Sequence, residues 1–144
     1  MKSAHILLVE DNEGDIILTI EALEERKIIN RVDVVKNGKE ALDYLFQKGK
    51  YVNQQAPDLI LLDVNLPKKN GHEVLEVIKS NKKTKKIPVI MLTTSSSKTD
   101  IDLSYEHHAN CYITKPVEMS EFLSAIYTIE DFWFQLVKLP KGNA

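Results

Sequence analysis

A doubly wound α/β fold, one parallel sheet in the order 2-1-3-4-5, is the architecture this sequence predicts. Three observations carry it. Short apolar runs recur along the chain: HILLV at 5–9, VDVV at 32–35, LILL at 59–62, VIML at 89–92 and CYIT at 111–114. Each is followed by a stretch that reads as a helix, most of them with apolar residues at helical spacing. The runs at 59–62 and 89–92 are continuous rather than alternating, as in strands covered on both faces. Strand–helix repeats with right-handed crossovers place helices on both sides of such a sheet. Ligand chemistry then sits beyond the carboxyl ends of the strands.

The first strand, 5–9, ends in Glu10-Asp11. Asn12 can cap the next helix, with Asp15 in the position of a capping-box acid. Ile16, Ile20 and Leu23 form its buried stripe, and Glu21, Glu24, Glu25, Arg26 and Lys27 its solvated face. The second strand, 32–35, stops at Asn37-Gly38. Ala41, Leu42, Leu45 and Phe46 make the next helical stripe, and 49–57 is a polar loop. The third strand, 59–62, ends abruptly at Asp63. A turn with Pro67 and Asn70-Gly71 follows, then a helix carrying Val74, Leu75 and Ile78. Lys82, Lys83, Lys85 and Lys86 read as a solvated loop. Pro88 stands at the entrance of the fourth strand, where a missing amide is tolerated. Ser97 and Asp100 open a weakly apolar helix with Ile101 and Tyr105 as its buried candidates. The fifth strand, 111–114, ends in Lys115-Pro116.

The last helix, from Met119 to Leu139, is the most apolar. Phe122, Ile126, Ile129, Trp133 and Leu136 share one face, and Leu123, Phe132, Phe134 and Val137 widen it. That is more apolar surface than one sheet face covers, so Phe132 and Trp133 are candidate partner contacts.

Composition bounds the function. A chain of 144 residues fits one domain. Hydrophobic residues at 43% and charged residues at 28% are ordinary for a globular protein. A net charge of −2 leaves no footprint for nucleic acid. One cysteine, Cys111, forms no internal disulfide and suits a reducing compartment. No signal peptide and no apolar run near the ~20 residues of a membrane span is present. A cytoplasmic protein with neither DNA nor membrane partners is expected. His5, His72, His107 and His108 show no metal-ligand spacing.

Three strand ends carry polar residues toward one edge: Glu10-Asp11, Asp63 and Lys115, with Thr93 from the fourth. In the order 2-1-3-4-5 strands one and three are neighbours, so Asp11 and Asp63 can share a cation. Mg²⁺ matches hard oxygen ligands of this kind, and the Asn65 carbonyl can complete the protein's share. Such a site suits phosphoryl transfer onto Asp63. The Lys115 ammonium and the Thr93 hydroxyl would hold oxygens that the metal does not.

These residues carry a resemblance. ILLVEDN at 6–12, DLILLDVNLPKKNG at 58–71, PVIMLTTS at 88–95 and CYITKP at 111–116 together resemble the receiver domain of two-component response regulators, from Ala4 to about Ile129. The resemblance implies a flavodoxin-like (βα)5 fold. It implies Asp63 as phosphoacceptor and Glu10 and Asp11 as the acidic pair. Asp11, Asp63 and the Asn65 carbonyl would be the Mg²⁺ ligands, with Glu10 acting indirectly. Thr93 would be the switch hydroxyl, Tyr112 the switch aromatic and Lys115 the phosphate-binding lysine, with a cis Lys115-Pro116 peptide. Thr94 departs from the small residue usual in the family. NLPKKNG, LTTSSS, NCYITKP and the IEDFW…VKLP tail are similar to small regulators associated with phytochrome-type histidine kinases.

The expected function is therefore a signalling switch, not a turnover enzyme. A sensor histidine kinase phosphorylates Asp63, and the face formed by the helix after strand four, strand five and the last helix changes. A homodimer through that face is a candidate. The expected organisation is a single receiver domain over 1–144, with its core at 4–129, an extended helix and tail at 130–144, and no output domain. The alternative is a degenerate receiver that binds partners without phosphorylation. A phosphatase-like enzyme would want an aspartate where Asn65 stands.

Overall fold

The computed structural model describes residues 4–24, 29–67, 69–93 and 111–128. Five strands, β1 (Ala4–Val9), β2 (Ile29–Val35), β3 (Leu59–Asp63), β4 (Val89–Thr93) and β5 (Cys111–Thr114), form one sheet in the order β2-β1-β3-β4-β5. All neighbouring pairs are parallel. The predicted topology holds. β2 starts earlier than the apolar run suggested, because Ile29-Asn30-Arg31 continues the ladder with β1 at the sheet edge, where a strand needs no continuous apolar character.

Four α-helices are described, α1 (Glu13–Glu24), α2 (Gly38–Leu45), α3 (Gly71–Ser80) and α4 (Met119–Thr128), with one 3₁₀ turn at Gly49–Tyr51. They cover the sheet in two layers. Ile16 and Leu23 of α1 and Phe122 and Ala125 of α4 pack with Ile6, Leu8, Leu61 and Ile90 on one face. Ala41 and Leu45 of α2 and Val74, Leu75 and Ile78 of α3 pack with Leu7, Val9, Ile60 and Met91 on the other. This double cover explains the unbroken runs. Residues 59–62 and 89–92 are wholly buried, whichever way their side chains point. The helix expected after β4, and the continuation of α4 past Thr128 with Phe132 and Trp133, lie outside the described residues.

Local chemistry sets the helix starts. The Asn37 side chain accepts from the Glu40 amide, so Asn37-Gly38 opens α2 rather than merely closing β2. Asn70 and Glu73 form a reciprocal capping box at α3. Gly71 must be glycine for space. A Cβ there would lie 2.2 Å from the Asp63 carbonyl oxygen. The close approach lets the Gly71 amide donate to the Val64 carbonyl at 2.9 Å, locking the turn that follows β3.

Candidate phosphoryl-acceptor site

The sheet brings Glu10, Asp11, Asp63 and Lys115 together at the carboxyl edge. β1 and β3 are adjacent, with Val9 opposite Leu62, so Glu10 follows one strand beside the position where Asp63 ends the other. Glu10 is fully buried. Its Oε2 accepts from the amides of Asp11 and Asn12 at 3.1 and 3.2 Å. Its Oε1 accepts from Lys115 Nζ at 2.9 Å. Asp63 is buried too, and its Oδ1 accepts from the Asn65 amide at 3.3 Å. Lys115 Nζ stands 3.4 Å from Asp63 Oδ2. Asp11 is exposed at the rim.

Lys115 follows β5, and its backbone amide donates to the Thr93 carbonyl at 2.7 Å, extending the β4–β5 ladder by one step. The Lys115-Pro116 peptide is cis. Thr93 is buried as the last residue of β4, one step beyond the Leu92 that pairs with Asp63. Tyr112 is half-buried opposite Met91 and lines an open depression of about 440 Å³ with Cys111, Thr114 and the first turns of α4. That depression lies between β5 and α4, not at the acid cluster.

Asp15 has a place the sequence reading missed. Its amide donates to Asn12 Oδ1 at 2.9 Å, as the cap predicts. Its carboxylate, however, accepts from Lys115 Nζ at 2.8 Å, and the Asn12 amide that a capping acid would take donates to Glu10 Oε2 instead. No spacing in the sequence announces this contact, which joins α1 to the residue after β5 across 100 positions.

The electrostatics of the cluster are unbalanced. Burial pushes the Asp63 carboxyl up, the hydrogen bond and charge of Glu10 push it further, and Lys115 and the Asn65 amide offset only part. It rises from 3.8 to about 7. Burial alone would lower Lys115, but hydrogen bonds to Asp15 and Glu10 and the charge of Asp63 reverse this and raise it. Glu10, Asp11 and Asp63 each offer an oxygen within 4.8 Å of the others. Three hard oxygen donors, crowded so that a divalent cation would relieve their mutual repulsion, make a donor set that fits such an ion.

A model of the response regulator receiver domain matches residues 6–127 of this sequence. This chain belongs to the response regulator receiver family. It is 45% identical to the response regulator Rcp1 of Synechocystis sp. over 135 residues, covering 94% of this chain and 92% of that protein. The phosphorylated cyanobacterial phytochrome response regulator RcpA superposes with a TM-score of 0.77 at 49% identity, covering 92% of this chain and 94% of that one. The Mn²⁺-bound form of Rcp1 superposes with a TM-score of 0.75 at 45% identity, over 90% and 94% of the two chains. A receiver domain is a phosphorylation-activated switch in two-component signalling, fed by a histidine kinase, and this receiver has that function. Receivers bind a divalent metal, in keeping with the acidic cluster here. Among the described residues no helix is long and apolar enough to cross a membrane.

Proposed function

We propose that Asp63 is the phosphoacceptor of this receiver, that its cation is Mg²⁺, and that its donor is a phytochrome-type histidine kinase. The place of Asp63 at the carboxyl end of β3 carries this reading. It is buried, with Lys115 Nζ 3.4 Å away and oxygens of Glu10 and Asp11 within 4.8 Å. Asp11 and Asp63, with the Asn65 carbonyl, would hold the metal, and Glu10 would act on it indirectly. When bound, Mg²⁺ would supply positive charge that keeps Asp63 ionised and offsets charge on the transferred group.

The protein's own residues do the rest by position. An Asp63 carboxylate oxygen attacks phosphorus, the phosphorus–nitrogen bond of the donor phosphohistidine breaks, and the imidazole leaves with the electron pair. Lys115, held beside Asp63, meets a phosphoryl oxygen. The Thr93 hydroxyl takes another and moves toward the group. Tyr112, half-buried over the same core, then turns into the space that Thr93 leaves. Phosphate adds about −1.5 to −2 charge, and the change is a population shift because only one packing satisfies it. The face built from β5 and α4 changes with it and meets a partner or a second copy. The chain turns over no substrate of its own, and the high identity to Rcp1 and RcpA supports the phytochrome assignment.

Intact mass after incubation with acetyl phosphate and Mg²⁺ tests the chemistry. One added phosphoryl group, absent with EDTA, is expected. No addition from acetyl phosphate or from a phytochrome-type kinase would turn the reading toward a receiver that binds partners without phosphorylation.

A further inference from the structure

Lys115 is held by more than the residues its role requires. An ammonium has three N–H donors and no acceptor. Three carboxylate oxygens surround this one: Asp15 Oδ2 at 2.8 Å, Glu10 Oε1 at 2.9 Å and Asp63 Oδ2 at 3.4 Å. Two contacts are short and one is loose. The loose one points at the proposed acceptor.

We infer that Asp15 is a positioning residue, which with Glu10 clamps two of the Lys115 donors so that the third stays aimed at Asp63. The inference rests on the phosphoacceptor reading above. Both anchors come from the segment that runs from the end of β1 into the first turn of α1. Glu10 is buried, with its second oxygen occupied by the amides of Asp11 and Asn12. Asp15 sits in the first turn of α1, with its amide bonded to Asn12 Oδ1.

One anchor is not enough. A lysine stem is a flexible four-carbon chain, and a single contact leaves its head free to swing about that point. A second anchor restricts the swing. The entropy of orienting the ammonium is then lost before the donor arrives, not during transfer.

The side-chain exposures separate direction from charge. Lys115 is 7% exposed and Glu10 not at all, but Asp15 is 31% exposed. Water therefore screens much of the attraction from Asp15. Its part is mainly the fixed acceptor it presents. As the Asp63 oxygen bonds to phosphorus and the leaving group departs with its electron pair, the third Lys115 donor passes from Asp63 to a phosphoryl oxygen. The Asp15 and Glu10 contacts need not break.

The test uses the full chain with acetyl phosphate and Mg²⁺, comparing the parent with Asp15→Ala and Asp15→Asn. At saturating donor, Asp15→Ala is expected to slow phosphorylation about three- to tenfold, and Asp15→Asn, which keeps an acceptor oxygen, by less. In parallel, amine acylation is read residue by residue. Lys115 should label faster in Asp15→Ala, while Lys79, which donates to the Ile87 carbonyl at 2.7 Å elsewhere in the fold, should not change. A rate equal to or faster than the parent's would overturn the inference. So would a slower rate in which Lys115 labelling is unchanged, or rises together with that of Lys79, since the effect would then be general loosening. If the parent itself takes up no phosphoryl group, the acceptor reading fails and this inference with it. If the parent is labelled and Asp15→Ala matches it, only the role of Asp15 fails.

Discussion

At its two ends β1 buries charge in opposite ways. Near its start, Asp33 of β2 is met by donors: the Tyr44 hydroxyl at 2.6 Å, His5 Nε2 at 3.1 Å and the Arg31 guanidinium at 2.9 Å. Burial would lift the Asp33 carboxyl, but hydrogen bonds from Arg31, Tyr44 and His5 outweigh it and hold the group below its ordinary value. Just past the end of β1, four carboxylates, Glu10, Asp11, Asp15 and Asp63, gather with one ammonium. There Asp63 rises. The ratio of donors to carboxylates differs between the two, and it decides the outcome. The first cluster is complete and ties β1, β2 and α2 together. The second is short of positive charge and becomes complete only when a cation arrives.

That contrast can be broken from either side. The largest effect is expected from Gly71→Ala, which changes no charge. Its Cβ would lie 2.2 Å from the Asp63 carbonyl, so β3 or α3 must shift, at a cost of about 3 kcal/mol in denaturant unfolding, with slower phosphorylation. An unchanged midpoint would mean that the turn after β3 yields easily and does not position the acid site. A smaller loss, about 1 kcal/mol, is expected from Tyr44→Phe. The hydroxyl bond to Asp33 disappears while the ring keeps its packing 5.3 Å from Tyr51. Phosphorylation at the far end of β1 should be unaffected. A change in that rate would mean that the two clusters are coupled through the strand.

Much of this arrangement was legible in the sequence, for identifiable reasons. Leu59–Leu62 and Val89–Leu92 are covered on both faces, so burial is written as unbroken apolar runs that need no partner information. Crossover handedness put helices on both faces, and the doubly wound order 2-1-3-4-5 was the natural candidate for five such repeats. Glu10, Asp11, Asp63 and Lys115 each stand where an apolar run stops, and the parallel sheet carries all such stops to one edge. What the sequence hid depends on contacts between distant elements. Tyr44 is buried because its hydroxyl finds Asp33. Asp15 lies on a helix and meets a lysine 100 residues away. Neither partnership leaves a periodic trace. The capping box of Asn70 and Glu73 was readable but was masked by the turn signal of Asn70-Gly71. Phe132 and Trp133 belong to a part of the chain outside the described residues.

The most direct test of the contrast is the metal-free stability of Asp63→Asn as a function of pH, measured beside its phosphorylation. The Asp63 carboxyl is raised from 3.8 to about 7, so between those values the folded parent binds more protons than the unfolded chain. Its stability therefore falls as pH rises across that window and levels off above it. Asparagine cannot ionise. The variant should lack this slope, exceed the parent by about 1–3 kcal/mol above pH 7 in EDTA, and take up no phosphoryl group. A variant that is less stable than the parent above pH 7 and is still phosphorylated would contradict both the charge imbalance and the choice of acceptor.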